Sequence, residues 1–156
     1  EKMGTSGFNK QEILDIINKL VKLRENGETS ATLDMCAINE RDNILEFIKL
    51  GAAPSYLIEN GEVIEIKQDN MPMGLVSNIK YTAIEKTVNK GDFIVLISDG
   101  AISDVNKQAL QDIIEGLKEE PEITEKNLMD RIMTRVVGSQ NKIILDDVTV
   151  VVCKIA

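Results

Sequence analysis

Asn60 and Gly61 form the dipeptide that most constrains what this chain can fold into. They stand between two apolar runs rich in branched and aromatic side chains, residues 56–58 and 63–66. Asn and Gly readily adopt the positive φ angles of a two-residue β-hairpin turn. The sequence therefore predicts two antiparallel strands at this point, and with them an antiparallel sheet.

Several more segments are rich in branched or aromatic residues and are bounded by turn-forming residues, as strands are. Strands are predicted at residues 32–38, 44–50, 55–58, 81–88, 93–97 and 148–155. The last of these is almost unbroken in its apolar character, which predicts a strand that is buried on both faces.

Three segments carry apolar residues at helical spacing. Residues 9–24 predict an amphipathic helix, whose face toward a core is formed by Ile13, Ile16, Ile17, Leu20 and Val21. Residues 110–117 and 128–137 predict two further helices, the second capped by Thr124 with Asn127 following. A helix, a run of strands, two helices and a last strand together predict an α+β fold.

The chain has 156 residues, enough for one apolar core, and we predict a single domain over residues 1–156. Its net charge of −8 argues against sequence-independent binding to nucleic-acid phosphates. No apolar run approaches the length that crosses a bilayer, and there is no basic-then-apolar leader. We therefore expect no nucleic-acid partner, no membrane contact by this chain itself and a cytoplasmic location.

The chain contains no histidine. This excludes Ser-His and Cys-His nucleophile pairs, histidine general bases and histidine-ligated zinc, and leaves carboxylates, lysines, backbone amides or an oxygen-bound metal for any chemistry. Cys36 and Cys153 both lie in apolar, strand-like segments. We expect both thiols to be reduced and mostly buried, because a small thiol packs like a hydrophobic side chain.

Two acidic sites stand at the ends of very apolar segments. Asp99 and Gly100 come just after the run at 93–97, and Asp146 and Asp147 precede the run at 148–152. Mg²⁺ and Mn²⁺ favour carboxylate oxygens, and adjacent carboxylates repel each other unless a cation or donor offsets their charge. The residues alone are equally consistent with a metal site and with simple turns at strand ends, since Asp-Gly is a common turn dipeptide.

The segments GDFIVLISDG at 91–100 and DDVTVVV at 146–152 resemble the two C-terminal metal motifs of the protein phosphatase 2C superfamily. In matching order and with similar spacing, ATLD at 31–34, GAAPSY at 51–56 and NMPMG at 70–74 resemble the phosphatase domain of stage II sporulation protein E. The resemblance runs from about Phe8 to the end of the chain. It implies an αββα sandwich, in which two antiparallel sheets are flanked by helices and metals lie at one end of the sheets.

Carried over position by position, the resemblance makes Asp99 and Asp146 the metal-binding and catalytic aspartates. It makes Asp147 a neighbour that orients Asp146, and it gives Gly100 the role of leaving room beside the metal. Gly74 would allow a close turn near the site. The implied cofactors are two Mn²⁺ or Mg²⁺ ions per complete site, so Asp99 and Asp146 should approach each other at one end of the sheet.

The resemblance also implies a function: a metal-dependent serine phosphatase that acts on a phosphorylated anti-sigma-factor antagonist during sporulation. The protein would be cytoplasmic, or the domain would be the cytoplasmic part of a membrane-anchored protein. Members of the family begin with an Asp-Gly-Met-Gly-type motif after an apolar strand, which Met3-Gly4 does not match. We therefore expect a domain that is incomplete at its N-terminus and impaired alone, with sheet edges through which it forms a homodimer.

Two other interpretations of the sequence remain. The chain would be a non-catalytic protein-binding module with the same fold, or a plain α+β structural domain whose motif matches are coincidental. Mn²⁺-dependent phosphate release by the complete domain separates the phosphatase from both.

Overall fold

A computed structural model of the chain describes residues 9–23, 29–118, 122–138 and 146–156. In chain order its elements are α1 (Lys10–Leu23), β1 (Leu33–Asn39), β2 (Ile44–Leu50), β3 (Ser55–Glu59), β4 (Glu62–Ile66), β5 (Ile84–Thr87), β6 (Phe93–Ile97), a 3₁₀ turn (Asp99–Ala101), α2 (Lys107–Leu117), α3 (Glu125–Val137) and β7 (Val150–Lys154). Within these ranges no helix has the length and apolar character needed to cross a membrane.

The strands form two antiparallel sheets, in the orders β1-β2-β5 and β4-β3-β6-β7. With the three α-helices these sheets confirm the predicted α+β fold class. The structure divides into two compact units. The first holds α1 and most of the three-stranded sheet, and the second holds the four-stranded sheet with α2 and α3. A single domain over residues 1–156 stays a prediction.

The hairpin at Asn60 and Gly61 is confirmed. The two residues have φ angles of 52° and 81°, and the strands on either side pair Ile58 with Val63. A side chain of α2 secures the turn, because Gln111 accepts a hydrogen bond from the Val63 N–H at 3.0 Å and donates one to the Gly61 carbonyl at 2.9 Å.

The core of the second unit lies between its sheet and its two helices. α2 and α3 pack against each other, α2 also contacts β4, and α3 contacts β7. The largest fully buried side chains of this cluster are Tyr56, Leu110, Ile114, Leu117, Leu128 and Ile132. β3, β6 and β7 each contribute alternate residues to the cluster, as a sheet with helices on one face requires, and β4 contributes Val63.

The first unit shows that the predicted face of α1 is wrong in part. Ile17 and Val21 pack against the core as expected, but Ile16 and Leu20 are 36% and 59% exposed. The buried line instead runs through Leu14 and Asn18. The Asn18 amide donates to the Val76 carbonyl at 2.9 Å, and this bond turns a polar residue toward the core and the apolar pair outward.

A buried ion pair lies in the same unit. The ammonium of Lys49 is fully buried and lies 2.7 Å from a carboxylate oxygen of Asp34. Burial lowers the pKa of Lys49 below its usual value, and the bond to Asp34 opposes that shift. The pair keeps a charged side chain buried in β2, between the buried apolar residues Ile48 and Leu50.

β7 is not the doubly buried strand that its apolar run predicts. It is an edge strand of the four-stranded sheet, and its residues alternate between partly buried and exposed. Val150 and Val152 pack against the core, whereas Val151 is 42% exposed. Cys153 shares the exposed face, so its predicted burial is wrong. Neither cysteine forms a disulfide, and Cys36 is partly buried.

Candidate metal site

Asp99 stands where β6 leaves the sheet. Four of the five residues of β6 are buried, so the strand fixes the start of the turn that follows it. Asp99 begins the 3₁₀ turn, which is held by the buried Ala101. The Asp99 side chain is exposed, and its Oδ1 accepts a hydrogen bond from the Gly100 N–H at 3.1 Å.

Asp146 and Asp147 precede β7, and both are exposed. The Asp146 carboxylate is held in the same manner as that of Asp99, because its Oδ1 accepts from the N–H of the next residue, Asp147, at 2.8 Å. Each of the two predicted ligands therefore has one carboxylate oxygen oriented by the backbone that follows it.

The structure brings the two acidic segments into direct contact. The hydroxyl of Ser98 donates to the Asp147 carbonyl at 3.1 Å and accepts from the Thr149 N–H at 2.8 Å. The Ser98 N–H donates to the Thr149 carbonyl at 2.9 Å. These bonds continue the pairing of β6 with β7, which ends at Ile97 and Val150. Asp99 and Asp146 thus lie at one end of this sheet on touching segments, which supports the predicted proximity.

Gly100 has a neighbour that the sequence does not reveal. A Cβ built on Gly100 would overlap the carbonyl oxygen of Asp147, with the carbonyl carbon at 3.1 Å and the Asp146 carbonyl oxygen at 3.4 Å. The space beside Gly100 is therefore filled by the second acidic segment, and a side chain at this position would push that segment away.

Gly74 belongs to the first unit. Its φ is +91°, so the predicted close turn is present, and its N–H donates to the Asn18 side chain at 2.7 Å. A Cβ there would lie 2.6 Å from the Thr29 carbonyl oxygen and 2.7 Å from a methyl of Val21. These contacts account for the glycine, and a place for it near the metal site stays a prediction.

The donor groups fit a hard divalent cation. Carboxylate oxygens are what Mg²⁺ and Mn²⁺ prefer, and Mg²⁺ commonly takes only one or two protein carboxylates and keeps several waters. In residues 9–23, 29–118, 122–138 and 146–156 no group of three or more His, Cys, Asp or Glu side chains is placed to hold a metal ion. The pair Asp99 and Asp146 would therefore contribute part of a coordination shell.

Ser98 is the residue of this candidate site that the sequence analysis did not single out. It lies inside the recognised segment 91–100, but it carries no charge and matches no metal-ligand pattern. A hydroxyl residue directly after a buried strand and directly before a turn is the signal that could have singled it out, because such side chains often bond nearby backbone.

The profile of the family described as stage II sporulation protein E (SpoIIE) matches residues 1–156. The stage II sporulation protein E of Bacillus subtilis (strain 168) is 27% identical over 160 residues, and that of Priestia megaterium is 28% identical over 156 residues. These matches cover 99% and 96% of this chain, but only 19% and 26% of the length of the two relatives.

Solved structures show the same architecture. The structure of the PP2C phosphatase domain and a fragment of the regulatory domain of SpoIIE from Bacillus subtilis superposes with a TM-score of 0.79 and 27% identity, covering 99% of this chain and 46% of that one. A structure of the phosphatase domain of the same protein, described as Mn presoaked, has a TM-score of 0.66 and 24% identity, covering 97% and 68%. The Mycobacterium tuberculosis serine/threonine phosphatase PstP/Ppp shares the fold at 19% identity, with a TM-score of 0.68 and coverage of 91% and 67%.

Proposed function

This chain belongs to the stage II sporulation protein E family, and from that membership we propose that it carries the C-terminal metal-binding part of a protein serine/threonine phosphatase. One observation supports the proposal most directly. The hydrogen bonds of Ser98 join the segment that carries Asp99 to the segment that carries Asp146, so two segments with exposed carboxylates touch at one end of the sheet.

The proposed roles follow from the placement of these groups. Asp99 and Asp146 bind Mn²⁺ or Mg²⁺, two ions in the complete domain, and the backbone amides of Gly100 and Asp147 orient one oxygen of each carboxylate. When bound, such cations supply Lewis acidity that lowers the pKa of a water and offsets charge on a phosphoryl group. Because this chain has no histidine, it contributes no imidazole to proton transfer. Mn²⁺ is the first ion to test, since a structure of the Bacillus subtilis domain is described as Mn presoaked.

The proposed substrate is a phosphorylated anti-sigma-factor antagonist, dephosphorylated on serine in the cytoplasm, and the domain is proposed to form a homodimer. Membership of a sporulation protein family supports this substrate class. The activity is proposed for the whole protein, because this chain spans only about a fifth to a quarter of the relatives that it matches.

The test is Mn²⁺-dependent phosphate release from a phosphoserine protein by the complete protein and its variants. Asp99→Asn and Asp146→Asn should each lower kcat/KM at least about a hundredfold, since each removes the carboxylate charge that would hold a metal ion. Asp147→Asn should lose much less. Asp112→Asn is the matched control, because Asp112 is an exposed carboxylate on α2 that accepts a hydrogen bond from Gln108 of the same helix.

Two results would count against the proposal. Turnover that survives Asp99→Asn would place the metal site elsewhere. Absence of turnover with any divalent cation, in a protein that still binds a phosphoserine partner, would favour the non-catalytic binding module.

A further inference from the structure

Ser98 and Gly100 hold the two acidic segments together without being metal ligands themselves. We propose that they form a clamp, the Ser98–Gly100 clamp, which fixes Asp146 relative to Asp99 and thereby sets the affinity of the site for a divalent cation. This inference rests on the proposed metal site and adds two positioning residues to it.

The Ser98 hydroxyl takes the place of a backbone carbonyl as a hydrogen-bond acceptor. In an antiparallel ladder, two facing residues exchange both of their N–H to carbonyl bonds. The Ser98 N–H makes its half of this exchange with the Thr149 carbonyl, but the Ser98 carbonyl accepts from the Ala101 N–H at 3.1 Å, inside the 3₁₀ turn. The hydroxyl therefore accepts from the Thr149 N–H in its place. This substitution lets the chain turn toward Asp99 and stay bonded to the strand that follows Asp146.

The proton of the same hydroxyl reaches the second acidic segment. It is donated to the Asp147 carbonyl at 3.1 Å, while the Asp147 N–H donates to the Asp146 carboxylate at 2.8 Å. A serine hydroxyl has one proton to donate. Because that proton and an acceptor position are both engaged with backbone, Ser98 acts on Asp146 through Asp147 and is a positioning residue.

Gly100 completes the clamp because it has no side chain. The Asp147 carbonyl lies where a Cβ on Gly100 would be, so the segment can approach the 3₁₀ turn only because residue 100 has no side chain. Burial does not fix the two carboxylates, since Asp99 and Asp146 are both exposed. Their relative position therefore depends on the bonds of Ser98 and the close approach at Gly100.

The test measures Mn²⁺ binding to the complete protein by electron paramagnetic resonance of free Mn²⁺, with the melting temperature recorded for every variant. Ser98→Ala and Gly100→Ala should each raise the Kd for Mn²⁺ about 10- to 100-fold, the usual cost of removing a group that orients a metal ligand. Ser98→Thr keeps the hydroxyl, so its Kd for Mn²⁺ should stay within about threefold of the wild-type value. That change is smaller than the one expected when an orienting group is lost.

Two controls match these changes. Ser103→Ala removes an exposed hydroxyl that bonds the adjacent Asp104 side chain. Gly116→Ala adds a methyl to a helical glycine of α2 with no atom within 4 Å of the new Cβ. Neither control should change the Kd for Mn²⁺, and Gly116→Ala should raise the melting temperature, because alanine has the higher helix propensity.

Each outcome decides a different point. If the wild-type protein binds Mn²⁺ and Ser98→Ala binds it with the same Kd, the clamp is overturned and the proposed function stays intact. If Ser98→Ala and Ser98→Thr raise the Kd equally, the clamp is also overturned, since loss of the hydroxyl would then not be the cause of the weaker binding. No Mn²⁺ binding by the complete wild-type protein overturns the clamp's role and counts against the metal site itself. If Gly100→Ala does not fold, the serine variants alone decide.

Discussion

Single residues in this protein are explained by the backbone atoms that they meet. Gly100 and Gly74 are both glycines because a carbonyl oxygen of another segment approaches them closely. Asn18 is buried because its amide bonds the backbone at Gly74 and Val76. Such contacts join positions far apart in the chain, so no local pattern in the sequence announces them. The acidic residues, by contrast, were found from the sequence because charge beside an apolar strand is visible there.

Tyr56 gives a prediction at this scale. Its ring is buried and its hydroxyl donates to the Val105 carbonyl at 3.2 Å. Burial, with a smaller contribution from Glu65, raises the pKa of Tyr56 to about 12. The folded state therefore holds this proton more tightly than the unfolded state, and the resulting stability is present below pH 10 and lost as the pH rises toward 12.

We expect the wild-type protein to lose up to about 3 kcal/mol more unfolding free energy than Tyr56→Phe between pH 9 and 12. Below pH 9 the variant should differ by only about 1 kcal/mol, the worth of one hydrogen bond. Urea unfolding at a series of pH values measures both. Subtracting the unfolding free energy of Tyr56→Phe from that of the wild-type protein at each pH cancels the contribution of other titrating groups, including Lys49. Parallel pH profiles would show that Tyr56 does not titrate in this range.

The buried ion pair of Lys49 and Asp34 gives a second prediction at this scale. Asp34→Asn should lower the unfolding free energy by about 3–5 kcal/mol at pH 7, because the ammonium stays buried without its carboxylate. Lys49→Met combined with Asp34→Leu should recover most of that loss, since both charges leave together. Chemical denaturation of the two variants tests this, and a double variant no more stable than Asp34→Asn would contradict it.

At the scale of helices and strands, most of the structure could be predicted. The hairpin at Asn60 and the bounds of β2 follow from turn chemistry and composition, and α3 begins where its cap predicts. The buried faces of two elements were predicted wrongly. In α1 a side-chain hydrogen bond from Asn18 rotated the buried stripe away from Ile16 and Leu20. In β7 a run of valines is compatible with burial on one face or on two, and the position of the strand in the sheet decides between them.

α3 carries a reciprocal cap that can be tested directly. The Thr124 hydroxyl accepts from the Asn127 N–H at 3.2 Å, and the Asn127 side chain accepts from the Thr124 N–H at 2.8 Å. Thr124→Ala should lower the unfolding free energy by about 1 kcal/mol, the usual worth of an N-cap. Thr134→Ala, in the same helix, should cost less than about 0.5 kcal/mol, because that hydroxyl is exposed and bonds the Asp130 carbonyl one turn earlier in the helix. Equal losses in both variants would mean that the cap adds nothing.

At the scale of the whole molecule, the net charge of −8 sets a background field for any cation. The Kd for Mn²⁺ should rise several-fold as the ionic strength goes from about 0.01 M to about 0.1 M, because the Debye length falls from about 30 Å to about 10 Å. Replacing the exposed acids Glu62, Asp112 and Glu115 by their amides should weaken this dependence without touching the site. A salt dependence that is unchanged in the triple variant would attribute the effect to the ligands alone.

β7 has valine at three consecutive positions, Val150, Val151 and Val152, so its apolar side chains look almost the same when the strand is displaced by one residue. Such a slip exchanges the two faces of a strand and here sacrifices little hydrophobic energy. Polar groups at the two ends distinguish the correct pairing, the Ser98 hydroxyl at Thr149 and the Lys154 ammonium, which bonds the Ile123 carbonyl at 2.9 Å. A misaligned strand would move Asp146 about 3.4 Å along the sheet. Molecules folded in this way would have a native circular-dichroism spectrum but would lack the proposed metal site, so the fraction of molecules that bind Mn²⁺ would measure how faithfully β7 was aligned.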